Sequence, residues 1–333
     1  MKGRTEALVR LAREHALLIP EPDRMLFRLE GREALDLLHR ISTNDILTGA
    51  PVRTVRTLFC TEKGRVIDVA EIVSTGKDLF MVLTASSTDR LLAWIEKFTI
   101  TEDITISPLT TDSATYLLIG PEAIPTAQSL RLLETGRVPL PDFSAGRTES
   151  ILAWRSTFGG IPCVRISAGR AAGLPKTLGE KVLSVFPEHA HDVYDVLRTI
   201  SLVPETGHEI MDTYNPLEIG LLNEISFTKG CYIGQEVIAR LDSYKKVQRK
   251  LCLLSAIETP LPEIGTAVQC QGADVGAVTT AVSTQARSLV LAVVRNEACE
   301  GHETLQISGR DFSIYRGTYP AYSLLDFVEG GME

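Results

Sequence analysis

The chain of 333 residues carries 34 Lys and Arg against 42 Asp and Glu, a formal charge of −8, with 44% hydrophobic and 23% charged residues. This balance is globular and excludes wholesale disorder, collagen-like repeats and coiled coils. Its acidic sign argues against non-specific nucleic-acid binding, which needs surplus cations to displace phosphate counterions. The length suggests about two domains at ~150 residues each, and no apolar run approaches the ~18 residues of a membrane span. We therefore expect a cytoplasmic protein with no membrane segment and no direct DNA contact.

In chain order, Ala7, Leu8, Leu11 and Ala12 give an amphipathic first helix, followed by the short run Ala16-Leu17-Leu18-Ile19. Met25, Phe27 and Leu29 alternate with charged residues as in a half-buried strand, and a helix with Ala34, Leu35 and Leu38 on one face follows Gly31. Thr57–Glu62 and Arg65–Val73 read as strands around a Lys63-Gly64 turn. Asp78–Thr84 is a further strand and Ser86–Phe98 a helix with a polar start. Strands are expected at 114–119, 151–155 and 163–166, with helices near 121–134, 177–185 and 191–200. Antiparallel strand groups with helices between them indicate an α+β fold. Beyond Tyr244 short apolar runs at 275–282, 288–294, 304–307 and 312–315, broken by glycines, suit a small barrel or sandwich. The boundary divides the chain into residues 1–244 and 245–333.

The six cysteines are scattered without any C-x-x-C pair, which fits free thiols and argues against structural zinc or a permanently held iron–sulfur cluster. The most distinctive passage is 215–241. Asn215-Pro216-Leu217-Glu218 has the layout of a capping box opening a short helix. Further on, Cys231 sits in a glycine-flanked turn just before a helix, near Lys229, and both neighbours favour a thiolate. By spacing alone Cys231 reads equally as a reactive thiol or a buried one. His189 and His191 diverge on a helix and suit a surface or capping role. The basic run Tyr244–Lys250 is most simply a solvated face, with docking of an acidic partner or RNA as the alternative.

The octapeptide Lys229–Glu236, K-G-C-Y-I-G-Q-E, is similar to the signature of YgfZ-type proteins, folate-binding relatives of the glycine-cleavage T-protein. The resemblance extends to Gly31–Asp45 with its Thr43-Asn44-Asp45 ending, to Lys63-Gly64-Arg65 with Asp68, to Leu197-Arg198 through Pro204, and to Gly272–Val294. It implies a three-lobed ring around a central channel: two α+β lobes that bind tetrahydrofolate or a one-carbon derivative, and a C-terminal β-barrel. It also implies support of iron–sulfur cluster assembly or repair, with transient contacts to iron–sulfur enzymes or assembly proteins and an indirect effect on tRNA modification. In this reading Cys231 and Lys229 form a functional pair facing the channel. Asp68 receives the pterin N–H groups, Arg198 meets the anionic glutamyl tail, and Asn44, Tyr232, Gln235 and Glu236 complete the folate contacts.

Asp68 also aligns with the aspartate that T-proteins place beside the reacting folate nitrogens, so aminomethyl transfer is the alternative function. Two departures bear on it. Val69 stands where T-proteins carry a second Asp, and Phe158-Gly159-Gly160-Ile161 lacks the acidic residue that helps hold the pterin. A folate-independent interaction scaffold is the third reading.

Overall fold

The computed structural model describes residues 2–109, 113–133, 151–169, 178, 182–243, 247–257 and 259–315. Three β units organise the chain. In the first, β2 (Arg24–Glu30), β3 (Val52–Cys60), β4 (Val66–Thr75), β5 (Leu79–Thr84) and β6 (Thr105–Pro108) form an antiparallel sheet in the order β3-β4-β5-β2-β6. Helices α2 (Ala34–Ile41) and α3 (Thr88–Phe98) cover one face, where Leu37, Leu38, Leu91 and Ile95 pack against Phe27, Ile67 and Met81. The turn at Lys63-Gly64 forms as expected, with Gly64 at φ +66°.

The second sheet begins with a strand that sequence reading left beside the first helix. After α1 (Lys2–Glu14) the run Leu17–Pro20 is β1, a central strand buried on both faces, which is why it reads as a continuous apolar stretch without alternation. It lies between β10 (Leu183–Ser184) and β7 (Ser113–Ile119), and β9 (Ile161–Gly169) and β8 (Ile151–Phe158) complete the order β10-β1-β7-β9-β8. The end of the helix expected at 177–185 is therefore strand; most of that segment lies outside the described residues. Helix α4 spans Ala123–Ser129, and α5 (Pro187–Ile200) starts with proline at its first position.

Asn215–Gly220 does not open a helix. The capping box itself forms: Asn215 Oδ1 accepts from the Leu217 and Glu218 N–H groups, and Glu218 Oε2 accepts from the Asn215 N–H. Gly220 at φ +79° then ends the turn, and the Glu218 carboxylate is held by the Arg249 guanidinium at 2.8 and 3.1 Å. Arg249 thus leaves the basic run as an ion-pair partner; residues 244–246 of that run lie outside the described residues.

The last unit is a closed antiparallel barrel of β11 (Arg249–Ile257), β14 (Arg287–Arg295), β13 (Ala273–Ser283), β12 (Ala267–Cys270), β15 (Thr304–Ile307) and β16 (Arg310–Ile314), with α7 (Asn296–Gly301) against it. Its interior holds Leu254, Val268, Val290, Leu305 and Phe312. The fold is the α+β plus barrel class the sequence pattern predicts. Among the described residues no helix is long and apolar enough to cross a membrane.

The two sheets meet along an apolar seam of Leu26, Val73, Phe80 and Val82 against Leu152 and Trp154. Beside it lies a buried ionic cluster. Glu71 on β4 accepts from Trp154 Nε1 at 2.7 Å and Ser156 Oγ at 2.6 Å, and also from Arg165 of β9. Arg165 Nε reaches Glu21 at 2.9 Å. Burial opposes ionisation of Glu71, but the Arg165 and Arg56 guanidiniums outweigh it and hold the carboxyl below its ordinary value. Its contribution to stability is present above the ordinary glutamate value and is lost as pH falls through the lower folded one. Arg165→Ala leaves two buried carboxylates without their cation. It should cost about 3–5 kcal/mol in denaturant unfolding at neutral pH, with a smaller deficit in acid, where Glu71 takes up a proton.

Candidate functional site

The junction of the two α+β units encloses a small cavity of ≈ 30 Å³, room for about one or two waters, whose wall includes Asp68, Glu71, Arg165, Glu205 and Thr206. Asp68 lies on β4 where the register is irregular: Cys60 faces Val66 and Phe59 faces Asp68, so Ile67 is the extra residue of a bulge. Asp68 is fully buried. Its Oδ2 accepts from Ser87 Oγ, at the start of α3, and its Oδ1 from Thr206 Oγ1 at 2.8 Å. Burial raises its pKa, while the hydroxyls of Ser87 and Thr206, the Val69 N–H and the Arg24 charge pull it back only in part.

A larger pocket of ≈ 390 Å³ adjoins this cavity and shares Arg24, Thr84, Glu205 and Thr206 with it. The shared wall is a tight network. Arg24 donates to Thr84 Oγ1 at 2.6 Å, to Tyr194 Oη at 2.8 Å and to Glu205 at 3.2 Å, and Tyr194 donates to Glu205 at 2.8 Å. Glu21, Asp195, His191 and His208 also face the larger pocket. A third pocket, of ≈ 320 Å³ and bounded by Asn44, Arg56, Arg155 and Glu224, meets the inner cavity at Arg56. Each of the two larger spaces thus shares wall residues with the inner cavity, and they share none with each other.

Of the residues singled out from sequence, Asp68 lies at this centre and Asn44 at the third pocket. Arg198 is a correction. It is fully buried and spends its guanidinium on Asp195 at 2.7 Å, Glu209 at 3.3 Å and Thr280 at 3.1 Å, so none of it faces a ligand tail. It ties α5 to the barrel. Glu209 completes the joint by accepting from Thr279 Oγ1 at 2.6 Å and Thr280 Oγ1 at 2.7 Å, two adjacent hydroxyls turned to one side by a bulge in β13. The second Glu209 oxygen takes the Glu205 N–H at 3.1 Å, which links the barrel to the segment that carries Thr206 to Asp68.

The octapeptide lies elsewhere, against the end of α2 and the 61–64 turn. Lys229 Nζ donates to the carbonyls of Ser42 at 2.8 Å and Asn44 at 2.9 Å and to that of His39, so the ammonium caps the C-terminal end of α2. All three of its protons are committed, and it does not serve the Cys231 thiol. Burial lowers the Lys229 pKa to about 8, against an opposing pull from Asp45. Gly234, at φ +83°, approaches the turn at Gly64 so closely that a Cβ would lie 2.6 Å from the Thr61 carbonyl. Tyr232 packs with Leu58, Cys60 and Val66, and burial pushes its hydroxyl up to about 12. Gln235 and Glu236 form the first turn of α6 (Gln235–Ser243), with Glu236 exposed. None of Lys229, Cys231, Tyr232, Gln235 and Glu236 lines the three central spaces.

Sequence reasoning missed Glu21, Arg24, Glu71, Arg165, Ser87, Tyr194, Glu205 and Thr206. A signal existed for two of them: Glu71 and Arg165 are charges inside largely apolar strand runs, where an unpaired ion would be costly.

The two α+β units thus enclose a polar centre with a buried carboxylate, Asp68, at their junction. Residues 5–161 match the GCVT N-terminal domain. The chain is 30% identical over 291 residues to an aminomethyltransferase of Symbiobacterium thermophilum, which spans 81% of this chain and 76% of that protein. It is 25% identical over 269 residues to a putative chloroplastic transferase of Arabidopsis thaliana, across 76% of this chain and 59% of the plant protein. The fold matches that of the glycine cleavage system aminomethyltransferase T from Bartonella henselae with a TM-score of 0.73 and 17% identity, covering 95% of this chain and 89% of that one. The chain belongs to the GCVT-like aminomethyltransferase superfamily.

Replacing Lys229 with Met removes the charged donor from three backbone carbonyls. The loss should be about 2–3 kcal/mol in urea unfolding, with faster hydrogen exchange at the end of α2.

Proposed function

We propose that this protein binds tetrahydrofolate or a one-carbon derivative at its polar centre and promotes one-carbon transfer of the aminomethyl type, with Asp68 as the carboxylate at the reacting nitrogens. The observation that carries this reading is Asp68 itself. It is a buried carboxyl with a raised pKa, fixed by two hydroxyls, one bond away from the wall of the 390 Å³ pocket through Thr206. The donor set of that pocket fits a reduced pterin. Glu21, Asp195 and Glu205 supply carboxylates able to accept adjacent N–H groups, and Tyr194 adds an aromatic wall. The acidic residue missing near Gly160 leaves a β8–β9 turn that runs through two glycines of positive φ.

When bound, tetrahydrofolate supplies the amine nitrogens that receive a one-carbon unit. The chain's own part is to hold a proton at an Asp68 oxygen nearer neutral pH than an ordinary aspartate can, to orient that oxygen through Ser87 and Thr206, and to keep bulk water out of a cavity this small.

Anaerobic calorimetric titration with tetrahydrofolate should show saturable one-site binding. Asp68→Asn should leave binding within about threefold while lowering transfer from an aminomethyl donor by about 100-fold or more. The same variant should be more stable than the parent at neutral pH. An acid whose folded pKa is raised subtracts stability as pH rises past its unfolded value, and the amide removes that burden. Absence of folate binding overturns this reading.

A second reading, an accessory role in iron–sulfur assembly or repair, is favoured by one observation: Cys231 is the single exposed cysteine, whereas Cys60, Cys163, Cys252 and Cys299 are buried and Cys270 is half-buried. Burial pushes the thiols of Cys60 and Cys163 up to about 12, which leaves Cys231 as the accessible nucleophile. Folate binding without turnover would select this reading. Brief maleimide labelling of the native protein should then modify Cys231 first, and Cys231→Ser should fold yet fail to support iron–sulfur enzymes.

A further inference from the structure

The edge strand of each α+β sheet, β3 and β8, meets the other at the third pocket, which shares Arg56 with the inner cavity. Two guanidiniums border it. Arg155 is exposed and has no hydrogen-bond or ion-pair partner among the described residues. Arg56 spends one nitrogen on the Thr157 carbonyl at 3.2 Å, while its buried Nε lacks a hydrogen bond and stands 3.5 Å from Glu224 and 4.0 Å from Glu71. Asn44 closes one side, its amide nitrogen held by the carbonyls of Arg56 at 2.8 Å and Asn223 at 3.2 Å.

We propose that this pocket is a second ligand site, which takes the carboxylate of a small molecule between Arg155 and Arg56. The site does not depend on the folate assignment, since it shares only Arg56 with the inner cavity and no residue with the larger pocket. A planar guanidinium accepts a carboxylate through two parallel N–H bonds, and Arg155 offers that fork unpaired. The local charge also sets the class of anion. Two arginines beside Glu224 leave one net positive charge when Glu224 is ionised, a match for a monoanionic group. Burial raises the Glu224 pKa against the pull of Arg56, so a bound carboxylate finds beside it a carboxyl that can carry the neutralising proton. A phosphate dianion would want more donors, of the kind an α-helix N-terminus supplies, and none of the described α-helices starts at this pocket.

The test is calorimetric titration of the full chain with sodium glutamate and, separately, sodium phosphate, with ionic strength held constant by chloride. Glutamate should bind saturably at one site, and prior saturation with tetrahydrofolate should leave that site available. Arg155→Ala, an exposed substitution expected to keep the native circular dichroism and melting temperature, should weaken glutamate binding about tenfold or more, and Arg155→Lys should recover part of it. The proposal is overturned by unchanged glutamate affinity in folded Arg155→Ala, by tighter binding of phosphate than of glutamate, or by no saturable glutamate binding up to about 0.1 M.

Discussion

The ionic contact between Glu71 on the first sheet and Arg165 on the second is the constraint on which the centre of this protein depends. The apolar seam of Leu26, Phe80 and Trp154 would bring the sheets together in several registers, because hydrophobic contact is not directional. The Arg165 fork, with Glu71 on one side and Glu21 on the other, allows one. Buried ion pairs contribute little net stability compared with apolar residues of the same shape, but a misplaced one is expensive, so this cluster penalises other arrangements of the lobes. Once the register is set, the cavities follow: Glu71 and Arg165 are themselves wall of the inner space beside Asp68.

The barrel acts on the same centre from the other side. Its contribution is mechanical, through a chain of hydrogen bonds that starts at the β13 bulge. Thr279 and Thr280 fix Glu209, Glu209 holds Arg198 and the Glu205 N–H, and the Glu205–Thr206 segment then delivers one hydroxyl to Asp68 and one carboxylate to Arg24. A domain that touches no central space thereby sets the position of two residues that do. Arg198 takes its place in this account as the bolt between helix and barrel, where the family resemblance had pointed to a ligand contact.

The octapeptide shows how a specific sequence signature can be largely structural. Lys229 caps α2, Gly234 permits contact with the 61–64 turn, and Tyr232 fills the space under β3. These three roles need those residue types at that spacing whatever chemistry the loop performs. What they leave over is Cys231, displayed to solvent on a loop anchored at both ends.

The sequence by itself determined the class of fold, the hairpin around Gly64 and the run of short strands after Tyr244, because each rests on local periodicity or turn chemistry; Asp68 is singled out only through the family resemblance. The sequence also carried the capping box at Asn215, whose hydrogen bonds form without the helix they usually begin. Only the tertiary structure decided which charges share the centre. Glu21, Glu71, Arg165 and Glu205 come from just after β1, from β4, from β9 and from the segment after α5, and nothing in the spacing of such distant residues pairs a particular carboxylate with a particular guanidinium. The same holds for Leu17–Ile19, whose central place in the sheet depends on β7 and β10, about a hundred and more residues away, and whose two faces are covered by α5 and α4. Local pattern fixes what a segment can become. Long-range packing selects what it touches, and in this protein the site is made of such contacts.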